Sequence, residues 1–123
     1  MSKFVHLNCH SNFSLLFGGS PLEELAEACA DAGMDTLALT DRDGLYGAVP
    51  FFESAGSAGI KPIIGCDLPV SASPPGRDEA GGGRLVLLAR NDTGYRNLCG
   101  AVTECHLGGG PLTRGKLSLA DFA

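Results

Sequence analysis

The stretch HLNCHSNF, residues 6–13, sets two imidazoles, an amide and a thiol close together just after an apolar start. In an extended strand His6, Asn8 and His10 share one face, because side chains alternate with period two. Three imidazoles in such a row would form a metal site. Here the middle position is an amide, a poor ligand for Zn or Mn. Carboxylates that could complete an oxygen-rich site follow later: Asp41 and Asp43 in TDRDG, and Asp67 in GCD. A plainer reading gives the same residues local duties. His10 caps a turn, Asp41 and Asp43 organise an Asx-type turn before Gly44, and Asp67 closes a strand-to-loop junction.

The elements that must position these residues are readable from pattern. KFVHLNC (3–9) reads as a buried strand, and SPLEELAEACADAG (20–33) as a helix. Ser20 would cap that helix, Pro21 would occupy its first position, Glu23 would complete an S-x-x-E box, and Gly33 would end it. Its apolar stripe is Leu22, Leu25, Ala26 and Cys29. DTLALT (35–40) predicts a second strand, and residues 46–58 a weak helix with Pro50 near its start. Strands are then expected over 60–70 and 84–90, and a helix over 92–107 carrying Tyr95, Leu98, Val102 and Cys105 at helical spacing. Between the last two strands, SASPPGRDEAGGG (71–83) reads as a flexible surface loop. A new element begins at Ser118 and has no C-cap, so one domain over 1–123 is expected to stop in mid-fold. Alternating strands and helices predict an α/β fold of parallel β/α units, with functional residues at the carboxyl ends of the strands.

Composition bounds the function classes. At 44% hydrophobic and 19% charged, with a mean hydropathy of +0.12, the chain is one that folds around a core. Its 123 residues are short for a whole β/α barrel, which takes roughly 200 or more. A net charge of −5 supplies no basic footing for nucleic acid, so any DNA link must come from elsewhere. Neither a membrane span nor a secretory leader is visible, and a cytosolic chain is the simplest reading. Five cysteines at no C-x-x-C spacing read as buried free thiols. GGSPLEE places acidic side chains where an anion would sit, TDRDGLYG lacks the residues of a phosphate loop, and His106 reads as a favourable cation at a helix C-terminus.

Taken together, CHSNFSLL, LALTDRDGLYGAV and LVLLARNDTGYRNLCGAVTECHL resemble the PHP (polymerase and histidinol phosphatase) domain of bacterial DNA polymerase III alpha subunits, above all the error-prone alpha-like polymerases. The resemblance covers nearly the whole chain. It implies roughly the first half of a distorted (β/α)7 barrel with a metal cluster at its strand ends, which in active members hydrolyses phosphoesters. Carried over position by position, most of that cluster is missing. The family's first histidine falls on Asn8, an acidic ligand on Phe17, and two further histidines on Arg42 and Arg84. Only His10 and Asp67 remain as vestigial ligands, with His6, Asp41 and Asp43 as other strand-end groups. Arg42 and Arg84 are then expected to fill the vacated space and pair with Asp67.

The function expected from this resemblance is a structural one, without cofactor, in the amino-terminal PHP region of a replicative or error-prone polymerase. Its partner would be the remainder of the polymerase chain, with DNA reached only through it. The alternative is a metal-dependent phosphoesterase or 3′–5′ exonuclease using Mn, Zn or Mg. A third possibility is a small interaction module. A half-barrel leaves open strand edges, so the isolated chain is expected to dimerise through an edge, to swap domains or to be poorly soluble.

Overall fold

The computed structural model describes residues 4–71, 82–107 and 117–118. In chain order the elements are α1 (Leu22–Asp31), β1 (Thr36–Leu39), α2 (Ala48–Ser57), β2 (Lys61–Ser71), β3 (Gly82–Leu88), α3 (Asp92–Leu107) and β4 (Leu117–Ser118).

Helix α1 buries Leu22, Ala26 and Cys29, the stripe that its periodicity requires. Its start differs from expectation. Pro21, extended at ψ 154°, is the N-cap residue, and no side chain caps the helix. Ser20 therefore lies one residue too far out for its hydroxyl to close an S-x-x-E box. Its carbonyl instead accepts the Asn12 N–H at 2.9 Å. At the other end Gly33 adopts φ +73°, a conformation open to glycine, and the Met34 N–H closes back onto the Cys29 carbonyl. Helix α2 carries Pro50 at its third position, where no intrahelical N–H is lost.

Strands β1 and β2 pair in parallel, Thr36 to Lys61 through Leu39 to Ile64, as a β/α/β unit requires. The next pairing corrects the all-parallel expectation: β2 and β3 are antiparallel, from Gly65 against Leu88 to Ser71 against Gly82. The reason lies in the connection. A parallel return needs a crossover of about a dozen residues or more, and the stretch between the end of β2 at Ser71 and the start of β3 at Gly82 is shorter than that. Strand β2 also runs on to Ser71 and β3 starts at Gly82, so the expected loop shrinks to residues 72–81, which lie outside the described residues. Strand β4 pairs in parallel with the end of β2, at Val70 and Ser71. The expected mid-fold stop after Ser118 falls outside the described residues.

The strand expected over 3–9 is not regular. Residues 6–10 run beside β1 with one bridge, His6 to Leu37, and the bonds Ala38 N–H to His6 carbonyl and Thr40 N–H to Cys9 carbonyl. The Thr40 hydroxyl interrupts the ladder by accepting the Cys9 N–H at 3.0 Å and donating to the Asn8 side chain at 2.8 Å.

Two apolar clusters result. Leu22, Cys29, Leu37, Leu39, Phe51 and Ala55 join α1 and α2 to β1, while Cys66, Leu68, Val70, Leu98 and Cys105 join α3 to β2. No helix among the described residues is long and apolar enough to cross a membrane.

Candidate functional site at the strand ends

Asp41 follows β1 after one intervening residue, Thr40, and is 2% exposed. Its carboxylate accepts the Ser11 N–H at 2.7 Å, the Ser11 hydroxyl at 2.8 Å and the Ser14 hydroxyl at 2.7 Å. The Ser14 hydroxyl in turn accepts the Arg42 N–H at 3.0 Å. Three donors satisfy a buried charge here, and the result is a knot that ties residues 11–18 to the end of β1. A side chain at Gly18 would collide with the Ser11 carbonyl, so the knot also demands a glycine.

Asp67 was expected at the end of its strand but sits inside β2, because β2 continues alongside β3. Its backbone binds the turn after β1: its N–H donates to the Asp41 carbonyl at 3.0 Å, and its carbonyl accepts the Asp43 N–H at 2.9 Å. Arg84 lies opposite Pro69 in the antiparallel ladder, which makes it the diagonal neighbour of Asp67 on the same face. Its Nε donates to Asp67 Oδ1 at 2.8 Å, and one terminal nitrogen donates to Asp43 Oδ1 at 2.7 Å and to the Asp67 carbonyl at 2.8 Å. Burial works against the Arg84 charge, but the bonds and charges of Asp43 and Asp67 outweigh it and hold its pKa above the ordinary value.

The second Asp67 oxygen faces His10 Nε2 at 3.4 Å, longer than an ordinary hydrogen bond, and that buried nitrogen has no hydrogen-bond partner. Asp43 is held at φ +61°, and its carbonyl meets His106 Nε2 from the last turn of α3. His106 thus reaches across to the site in addition to ending its helix.

Other candidates go elsewhere. The Arg42 guanidinium does not meet Asp67 but lies over the Phe17 ring, 3.7 Å from its centre. His6 packs edge-on against Phe4 at 4.7 Å, beside the start of β1, and Asn8 is bound to Thr40. Residues 6–10 are not a regular strand, and His6, Asn8 and His10 go to different neighbours, Phe4, Thr40 and Asp67. Ser11, Ser14, Thr40 and His106 were not singled out for these contacts. Ser11 and Ser14 lie far from Asp41 in the chain, so only the pairing of residues 6–10 with β1 could have brought them to it.

Cys66 is buried between the Asp41 and Gly44 carbonyls, each 3.4 Å from its sulfur. Burial first, with the nearby Asp43 and Asp67 charges, pushes its thiol up to about 12, against a smaller opposing effect of the Gly44 bond. Burial, then the Asp41 charge, also raises the Cys9 thiol, so neither cysteine has the thiolate character of a nucleophile.

The donor set does not fit a metal ion. Of the ligand positions that the resemblance implies, only His10 and Asp67 face one another, and Asp67 and Asp43 are already engaged by a guanidinium. Among the described residues no group of three or more His, Cys, Asp or Glu side chains is placed to hold an ion. Beside this centre lies a groove of about 750 Å³ lined by Phe13, Leu15, Phe17, Arg42, Tyr46 and His106, among others.

The chain is 43% identical over 112 residues to a DNA polymerase III subunit alpha of Treponema pallidum, and 42% identical over 108 residues to an error-prone DNA polymerase of Mycobacterium tuberculosis. Each alignment covers 87% of this chain and 10% of the relative, so the chain spans about a tenth of the length of these curated relatives. Among solved structures, an amidohydrolase from Chromobacterium violaceum with bound sulfate and no metal superposes with a TM-score of 0.63 at 25% identity, covering 85% of this chain and 34% of that one. A structure described as a metal-dependent phosphoesterase from Bifidobacterium adolescentis gives 0.59 at 17% identity, over 88% of this chain and 36% of its own, which speaks for the fold alone. The PHP domain family matches residues 6–119, nearly the full length, and the chain belongs to that family.

Proposed function

We propose that this chain is the amino-terminal PHP region of a bacterial DNA polymerase III alpha-type polymerase, replicative or error-prone, and that its role there is structural. On this reading its β/α units form roughly the first half of a distorted seven-stranded barrel, and its partner is the rest of the polymerase, through which it meets DNA in the cytoplasm. His10 and Asp67 are the remnant of a metal site whose other positions are lost at Asn8, Phe17, Arg42 and Arg84. The observation that carries the reading is the Asp67 carboxylate, which is bound by a guanidinium at 2.8 Å in place of a metal. The test uses the gene product that contains this chain. It is expected to extend primers, and the chain purified from metal-supplemented medium is expected to hold less than about a tenth of an equivalent of Mn, Zn or Fe.

One observation favours a second reading, a metal-dependent phosphoesterase or 3′–5′ exonuclease: the unpartnered His10 Nε2 beside Asp67. Stoichiometric Mn, Zn or Mg together with hydrolysis of a phosphodiester would establish it and overturn the structural one.

A further inference from the structure

We infer that the groove lined by Phe13, Leu15, Leu16, Phe17, Arg42 and Tyr46 is a docking site for a short peptide segment of a separate partner protein, one that carries large apolar side chains beside a single carboxylate. The inference goes beyond the structural reading above and makes no use of the metal-site remnant.

An exposed apolar loop is the first observation. Leu15 is 79%, Leu16 101% and Phe17 66% exposed, and with Phe13 and Tyr46 they line a groove of about 750 Å³. A contiguous exposed apolar patch in a folded protein marks an interaction site. The loop does not present these side chains by being loose. Ser11 and Ser14 are bonded to Asp41, the Gly18 N–H donates to the Ser14 carbonyl at 2.9 Å, and Leu16 is held at φ +68°. A leucine in that left-handed conformation is strained, and such strain persists only where the surroundings enforce it. The walls are fixed as well. The Phe13 ring lies against Gly47 and the Tyr46 ring against Gly44, where an added Cβ would crowd them. A groove with walls already ordered loses little side-chain entropy when it is filled.

Charge selects the occupant. The Arg42 guanidinium stacks on Phe17, 3.7 Å from the ring centre, and among the described residues it has no carboxylate partner. The acid beside it, Asp43, is bound by Arg84 at 2.7 Å, and His106 is turned to the Asp43 carbonyl. The groove therefore offers one uncompensated cation on an apolar floor, which complements one carboxylate next to apolar side chains. A nucleic acid strand asks instead for a row of cations along its phosphates, and Arg42 is a single one in a chain of net charge −5.

The experiment measures fluorescence anisotropy of labelled octapeptides mixed with the gene product that contains this chain. Each peptide has two Leu or Phe residues and one Asp in a Gly-Ser background, with every spacing represented. The tightest binder is expected to lose at least about tenfold in affinity when its Asp becomes Asn, and as much when its apolar residues become Ala. Arg42→Gln should weaken the Asp form by that factor and leave the Asn form unchanged, which assigns the carboxylate to Arg42. Leu16→Asn, which suits φ +68° and removes an exposed apolar side chain, should weaken both forms without lowering the melting temperature. A fall in melting temperature with that variant would give the loop a structural role and overturn the inference. So would an array in which no peptide binds more tightly than its Ala form, or in which Asp and Asn forms bind equally. Self-association seen by light scattering and lost in Leu16→Asn would make the occupant a second copy, and binding of a labelled oligothymidylate lost in Arg42→Gln would make it nucleic acid; either result overturns the inference. None of these readouts uses primer extension or metal content, so failure of the polymerase assignment would be seen separately.

Discussion

Asp41 carries more of the strand-end architecture than any residue that resembles a metal ligand. It is buried, and its two oxygens take three bonds from Ser11 and Ser14. Asp41→Ala would leave those donors without a partner and is expected to cost about 3 kcal/mol or more, read as a lower urea midpoint. Cys66 makes a prediction about pH. Its folded-state value of about 12 lies above the ordinary 9.0, so the unfolded chain releases this proton first. Its contribution is therefore fully present below about pH 9 and is lost as pH rises from there towards 12. Urea midpoints measured at about pH 8 and about pH 10 should show this fall, and Cys66→Ala should show a smaller one, because it lacks the group that titrates. At this scale residue types revealed which side chains had chemistry to offer, but not their partners. Nothing local to Arg84 or Arg42 says that one meets a carboxylate and the other a phenyl ring. That outcome depends on the pairing of β3 with β2.

Elements whose limits are set by nearby chemistry were readable from the sequence. Helix α3 runs from Asp92 to Leu107, as its spacing predicts, and α1 ends at the glycine that its pattern marks. The start of α1 was misread because a good cap motif sat one residue outside the helix. Ser20→Ala is accordingly expected to change stability by less than about 0.5 kcal/mol, where loss of a working cap would cost about 1, and thermal unfolding distinguishes the two. The antiparallel direction of β3 was missed because strand pattern carries no direction, although a connection too short for a parallel crossover could have shown it. That hairpin makes its own demand. A Cβ at Gly65 would sit 2.5 Å from the Leu87 carbonyl oxygen, so the two backbones can approach only at glycine. Gly65→Ala is expected to cost about 1–3 kcal/mol, measured by urea unfolding, because the obstructing atom belongs to the partner strand's backbone.

At the scale of the whole molecule, β2 is the spine, since β1, β3 and β4 all pair with it. The site inherits that arrangement: the turn after β1 binds one side of β2, and β3 supplies Arg84 from the other. Hydrogen exchange should reflect it. Amides of β2 paired with β1 over Lys61–Ile64 or with β3 from Gly65 on are expected to exchange only with global unfolding, and those of Ala38 and Thr40, which bond to residues 6–10, at least about tenfold faster through local opening. Mass spectrometry or NMR of the exchanging chain measures the difference. A mixed α/β fold with a parallel strand pair was therefore visible in advance. The sheet's true connectivity was not, because it is decided by contacts between segments far apart in the chain.

The hydroxyl of Thr40 has one more consequence. By taking the Cys9 N–H and binding the Asn8 side chain, it prevents residues 6–10 from forming an even row of donors and acceptors beside β1. A foreign strand that arrives at this border finds an irregular backbone, tied to β1 by only two backbone bonds, and no regular template to copy. One threonine thus leaves that flank a poorer template for an added strand than a regular edge would be.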